Sequence, residues 1–212
     1  MKLTLLYHKI KYKGFKMKTF LIALGVVVVG FILLIITNIN NVPKLDENVN
    51  ASWAQVQNQY KRRADLIPNL VETVKAYAEH EKSTFQAVTE ARANVGKITL
   101  TPEMLSNPQL FQQFQKAQDA LSSALTKLMM VSERYPDLKA NQNFLSLQTQ
   151  LEGTENRISV ARRDYIETVK LYNTELRTYP GRIVAAIFYP EAQVKQTFTA
   201  TLEEQQTPQV KF

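Results

Sequence analysis

Residues Phe20 to Ile36 (FLIALGVVVVGFILLII) are seventeen consecutive positions without a charged or polar side chain. Between the nearest charges, Lys18 and Lys44, the uncharged stretch reaches twenty-five residues. At about 1.5 Å rise per helical residue it can cross a hydrocarbon core of roughly 30 Å. A core helix of a soluble protein would show a polar stripe over that length. A cleaved signal peptide shares the basic front and the apolar middle, but no small-x-small cleavage site follows, and the run exits into Thr37-Asn38-Ile39-Asn40-Asn41. The chain is therefore expected to carry an uncleaved transmembrane anchor over residues 19–42. A basic extension over 1–18 precedes it, and Met17 within that extension offers an alternative start.

The anchor explains the charge. Six of the 26 Lys and Arg (Lys2, Lys9, Lys11, Lys13, Lys16, Lys18) precede the span with no acid among them, which leaves 20 bases against 19 acids in the remainder. The basic excess is a membrane flank, and it gives no reason to expect nucleic acid, which calls for a basic face on the folded domain. By the positive-inside rule the N-terminus is expected in the cytoplasm and the rest beyond the inner membrane, in single-pass topology. With no cysteine, disulfides and thiolate metal sites are excluded.

Beyond the membrane the apolar spacing is helical. Val49, Trp53, Val56 and Tyr60, then Ile67, Leu70, Val74 and Tyr77, and later Phe85 and Val88, are each spaced at gaps of three and four. This predicts a first face reaching about Val95, interrupted at Pro68, where the helix bends or restarts. Asp65 and Asn69 are placed to satisfy the backbone groups that the proline frees. Arg63 and Glu81 fall on that face as polar exceptions and are expected at the rim. Residues 96–108 read as a connection closed by Asn107 as N-cap and Pro108 at the first helical position. A second helix follows through Phe111, Phe114, Leu121, Leu125 and Leu128 to about Val131, with Gln118 alone breaking its face. After the turn Glu133-Arg134-Tyr135-Pro136-Asp137, a third helix of about 40 residues runs from Phe144 through Leu151, Thr154, Ile158 and Tyr165 to Tyr179 and ends at Pro180-Gly181.

Three long amphipathic segments must bury their stripes on one another, so the fold class is all-α: a transmembrane helix followed by an antiparallel bundle of long, coiled-coil-like helices over 43–196. The short apolar piece Ile183 to Tyr189 is expected to cap the bundle or lie at its end. Residues 197–212 read as a flexible tail. Apolar residues beside the main stripe (Leu66, Val71, Leu145, Ile166) widen it beyond what one core needs, which predicts self-association favoured by confinement to a membrane.

Chemistry-bearing patterns are sparse. His80 is the one histidine of the domain, and Tyr77 stands three residues before it, so the Glu-x-x-His repeat of a dinuclear site fails. No Gly-rich phosphate loop and no nucleophile motif occur. No catalytic, cofactor or metal residues are assigned. The only enzymatic alternative is a cluster of Arg63, Asp65, His80 and Glu81, and on one straight helix Arg63 and His80 would stand about 25 Å apart.

Several blocks carry a family resemblance. They are Trp53-Ala54-Gln55-Val56 with Lys61-Arg62-Arg63-Ala64-Asp65-Leu66-Ile67-Pro68-Asn69-Leu70-Val71-Glu72, Tyr77 and His80-Glu81; Glu133-Arg134-Tyr135-Pro136-Asp137-Leu138-Lys139-Ala140-Asn141 with Phe144; Thr154-Glu155-Asn156-Arg157-Ile158 with Ala161-Arg162; and the ending Pro208-Gln209-Val210-Lys211-Phe212. In this order they resemble the LemA family of bacterial membrane proteins. The chain departs from the pattern at Tyr165-Ile166, where the family often has Tyr-Asn, and around Phe188-Tyr189-Pro190, which lacks the usual Gly-Phe run. The resemblance implies one N-terminal anchor and an all-helical domain, and supplies no reaction. The expected function is a membrane-anchored, non-enzymatic scaffold of the bacterial cell envelope whose partners are the lipid bilayer, copies of itself and an envelope protein. The alternative is an adaptor for envelope proteolysis or stress response.

Overall fold

The computed structural model describes residues 2–199, with side chains from Thr19 onward. In chain order its helices are α1 (Lys2–Asn38), α2 (Asn41–Lys75), α3 (Lys82–Gly96), α4 (Pro108–Val131), α5 (Pro136–Lys139), α6 (Gln142–Arg177) and α7 (Gly181–Phe188), with short 3-10 turns at Pro102–Ser106 and Ser132–Arg134. No strand occurs among the described residues, and the all-α class holds. The chain divides into two compact bodies: residues up to Lys44 with Glu175–Ala192, and Leu45–Thr174 with the chain from Gln193.

In the first body, α1 carries the apolar run. From Phe20 to Ile36 its side chains are exposed, with Ile35 alone half-covered. Phe20 is 66% exposed and Val26 68%, values that water would not favour and lipid does. This is the one helix among the described residues long and apolar enough to span a membrane. In its last turn polar side chains bond back onto carbonyls of the preceding turn: Thr37 Oγ1 donates to Leu33 O at 3.0 Å and Asn38 Nδ2 to Leu34 O at 2.8 Å. Tyr189, just after α7, donates its hydroxyl to Ile39 O at 3.0 Å, and Val184 and Ala185 are buried. Gly181 is required where it stands, because a Cβ there would overlap the Glu175 carbonyl and come within 2.6 Å of its side chain.

The second body is the bundle. α2 and α4 run parallel, with α6 antiparallel to both: Trp53 packs at a tilt on Phe111 and edge-on to Phe114, Arg63 reaches Ser122, and Ser52 and Arg63 pair with Thr168 and Glu155. One part of the core is mainly aliphatic, built from Ile67, Leu70, Val74, Val88, Leu121, Leu128 and Leu138 with Phe85 and Phe144. The other is aromatic, built from Trp53, Tyr60, Phe111, Phe114 and Tyr165.

The first face does not extend as one helix to Val95. The chain stays helical through Pro68 and breaks after Lys75, at Ala76–Glu81, where Tyr77 N and Ala78 N turn back onto Val74 O at 3.1 and 2.9 Å. α3 then folds back along α2 and packs on α4, bringing Phe85 and Val88 into the aliphatic core. The bundle thus packs four helices, α2, α3, α4 and α6, rather than three, with the single-turn α5 in the connection before α6. Asp65 is exposed, and the carbonyl that Pro68 leaves without a donor, Ala64 O, accepts instead from Arg92 Nε of α3 at 3.1 Å. The freed group ties two helices together.

Asn107 caps α4 as expected, its side chain accepting from Gln109 N and Leu110 N. α6 ends at Arg177, and Tyr179, expected as its last core position, lies beyond it at 72% exposure. The tail expected from Thr197 falls largely outside the described residues. Its described beginning is packed: Phe198 is 7% exposed, and Thr199 O accepts from Gln115 Nε2 at 2.6 Å. Residues 193–199, with Met104 and Leu105 of the first 3-10 turn, cover the aromatic part of the core, which the fifteen-residue α3 does not reach.

Replacing Pro68 with alanine restores an amide that competes with Arg92 for Ala64 O. Pro68→Ala is expected to raise stability by about 1–3 kcal/mol. Arg92→Ala should cost about 1 kcal/mol in the native background and much less in Pro68→Ala. Urea unfolding of the four variants measures this, and an equal Arg92→Ala penalty in both backgrounds removes the coupling.

Candidate functional site

Of the four residues that could form a polar site, Arg63 is the one taken inside. It is 1% exposed, on the core face of α2. Its Nη1 donates to Ser122 Oγ of α4 at 2.8 Å and to Glu155 Oε1 of α6 at 3.0 Å; its Nη2 donates to the side-chain and backbone oxygens of Gln118. The guanidinium carbon lies 5.1 Å from the centre of the Tyr60 ring. A charge in such surroundings stays only if it is well paired, and here α4 and α6 supply acceptors to both terminal nitrogens, while Nε has no partner among the described residues. The rim position expected for Arg63 is corrected accordingly. Gln118, the lone break in the α4 face, is explained as its partner.

Glu155 is 41% exposed on its outer side and lines a groove of about 590 Å³ between α4 and α6, with Ser122, Thr126 and Glu152. A second groove of about 580 Å³ lies between α2 and α6, lined by Ser52, Gln55, Gln59, Asn156 and Val160. Both are open surface depressions rather than closed cavities.

The other members of the proposed cluster lie elsewhere. Asp65 and His80 are exposed. Glu81 is 17% exposed and pairs with Arg134 at 2.9 Å, with the Tyr135 hydroxyl donating at 3.4 Å. Beside it Asn141 Nδ2 donates to the Tyr77 hydroxyl at 2.8 Å, while Asn141 Oδ1 accepts from Phe144 N at the start of α6. The His80-Glu81 block and the Glu133 to Asn141 block therefore meet and fasten the α2–α3 reversal to the α4–α6 turn. Their chemistry goes into a joint, and Arg63 has no part in it.

A third polar locus lies in the aromatic part. Tyr165 is fully buried, donates to Gln196 O at 2.8 Å, and has its hydroxyl pushed well above the ordinary tyrosine range by burial. Tyr60 is raised too, burial outweighing the nearby Arg162 and Arg63. No group of three His, Asp or Glu side chains is arranged to hold a metal ion among the described residues.

The clamp makes a graded prediction. Arg63→Ala opens a cavity and strips Gln118 and Ser122 of their donor, and is expected to cost about 3–5 kcal/mol. Glu155→Gln should cost clearly less, because water already reaches that carboxylate and screens the pair. Chemical denaturation of the bundle gives the order, and equal costs would mean that the carboxylate rather than the whole acceptor set holds the guanidinium.

The LemA family model matches residues 52–212. Magnetosome protein MamQ 2 of Paramagnetospirillum magneticum is 26% identical over 178 residues, covering 76% of this chain and 65% of the relative. Protein LemA of Metamycoplasma hominis is 25% identical over 169 residues, covering 79% of this chain and 73% of the relative. The chain thus spans slightly less than two thirds of the MamQ protein's length. With a family match across most of the chain, an exposed apolar helix near the N-terminus and a helical bundle after it, this is a membrane-associated helical protein that belongs to the LemA family.

Proposed function

We propose that the chain is a non-enzymatic scaffold of the cell envelope, held by α1 in the inner membrane with its N-terminus in the cytoplasm and its bundle outside, and that it assembles with copies of itself. One observation carries this reading: the polar residues set into the bundle faces are engaged in holding helices to one another. Arg63, Gln118 and Glu155 join α2, α4 and α6, and Glu81, Arg134, Tyr77 and Asn141 join the turns. A rigid body presenting its outer surface is what such joints produce. That surface carries Leu145 and Ile166 at 38% and 37% exposure, in keeping with the widened stripe, while Val71 is drawn partly onto the core. Likeness to proteins named for the magnetosome supports membrane association.

Full-length protein in detergent should scatter light as an oligomer at tens of micromolar, and Leu145→Asp or Ile166→Asp should lower its mass with helicity retained. A strictly monomeric mass would overturn self-assembly. For orientation, cysteine placed at Asn50 should react with an impermeant maleimide in spheroplasts, and cysteine placed at Lys9 should not. The reverse pattern would place the bundle in the cytoplasm.

A further inference from the structure

Residues Gln193–Thr199 form a strap that belongs to no helix, and its backbone is read by side chains. Asn173 grips Lys195 on both sides: Nδ2 donates to Lys195 O at 2.9 Å and Oδ1 accepts from Lys195 N at 2.8 Å. The Tyr165 hydroxyl donates to Gln196 O, Gln115 Nε2 donates to Thr199 O, and Gln196 N donates to Leu105 O at 2.6 Å. Two side chains of the strap are anchored as well. Lys195 Nζ lies 3.2 Å from Asp46 and over the Tyr172 ring. Phe198 enters the aromatic pocket, its ring centre 5.1 Å from Phe111, 5.7 Å from Tyr165 and 6.3 Å from Trp53, with the Arg162 guanidinium 4.4 Å from it. A side-chain amide pairing with both backbone groups of one residue, a cation on a carboxylate and an aromatic anchor three residues on make a site for an extended peptide. In the same pocket the indole Nε1 of Trp53, a residue 5% exposed, has no hydrogen-bond partner among the described residues. A seat made for one fixed occupant normally satisfies such a donor.

Every residue of this seat lies within Leu45–Thr174, whereas the chain leading into the strap, Glu175–Ala192, groups with the first body. The seat therefore reads only the strap and is indifferent to which copy supplies it. The strap is reached through a single turn, Tyr189–Ala192, that contains Pro190. We propose that the seat is an exchangeable peptide-binding site and that, in the assembled form, it takes the Gln193–Thr199 strap of a neighbouring copy. This rests on the self-assembly reading and names its contact. Exchange of an identical element preserves every bond of the closed form, so it needs no new complementary surface. Tethering in a bilayer raises the concentration of neighbouring straps.

The chain has no cysteine, which makes the test direct. Lys116 and Thr199 are exposed beside the seat, and neither side chain holds the strap. A full-length chain carrying Lys116→Cys and a differently tagged one carrying Thr199→Cys are co-expressed, and membranes are treated with a short bis-maleimide. The expected product is a covalent pair carrying both tags, well above the pairs of either variant with itself. It should fall severalfold when the Thr199→Cys chain also carries Phe198→Ala. Lys195→Glu, which sets like charge against Asp46 without opening the core, should lower it likewise. A double variant Lys116→Cys/Thr199→Cys that links within one chain, with no mixed-tag product in the co-expressed sample, overturns the exchange. If light scattering then still reports an oligomer, self-assembly survives and only the strap contact falls; a monomer removes both.

Discussion

The bundle depends on a desolvated guanidinium. Arg63 sits where the aliphatic and aromatic parts of the core meet, and its two terminal nitrogens are satisfied only when α2, α4 and α6 stand at one relative height. An apolar core tolerates a slip of one turn by repacking, but a buried cation does not, because a slip leaves it facing hydrocarbon. The energetic value of such a joint lies less in net stability than in the penalty it places on every other register. Above it Ile67 and Leu70 continue the aliphatic stripe, and below it Tyr60 opens the aromatic one. The remaining polar joints, around Glu81 and around Asn173, fix ends whose heights this contact has already set.

How much of this was legible in the sequence follows from which forces are local. The membrane helix, the cap at Asn107 and the length of α4 depend on composition and on neighbours within one turn, and all three stand as expected. Arg63 and Gln118 were visible as exceptions on two helix faces, but their meeting was not, because the relative height of two helices leaves no periodic trace in either. Glu155 is one of several carboxylates on an amphipathic helix, and only the register singles it out. The break at Ala76–Glu81 carries neither glycine nor proline, so it had no punctuation to read. Pro68 offered the punctuation that the chain does not use, since a side chain from another helix meets the missing bond. Phe198 was hidden for a similar reason: one aromatic in a polar stretch has no period, and what orders it is a set of amide and hydroxyl groups far away in sequence.

The side of the bundle flanking α2, α4 and α6 is covered in two pieces of different kinds. α3 does it with apolar side chains on a regular helix, against the aliphatic part of the core. The 3-10 turn at Met104 and Leu105, together with residues 193–199, does it with an irregular backbone that must have its polar groups answered. Irregular chain over a core is costly unless each amide and carbonyl finds a partner, which accounts for the density of Asn, Gln and Tyr contacts at that place. The two halves of one core therefore differ in what holds them shut.

That division also sets an order of events during synthesis. Trp53 and Phe198 are 145 residues apart, so at about 5–20 residues per second the first ring waits roughly 7–30 s for the one that covers it. Over that interval α2, α3 and α4, joined by Leu138 and Phe144, can close the aliphatic half, whereas the aromatic half stays open to whatever extended peptide is at hand. The nascent protein accordingly passes through a stage with half of its interior finished and half still accessible, and the last described residues bring that stage to an end.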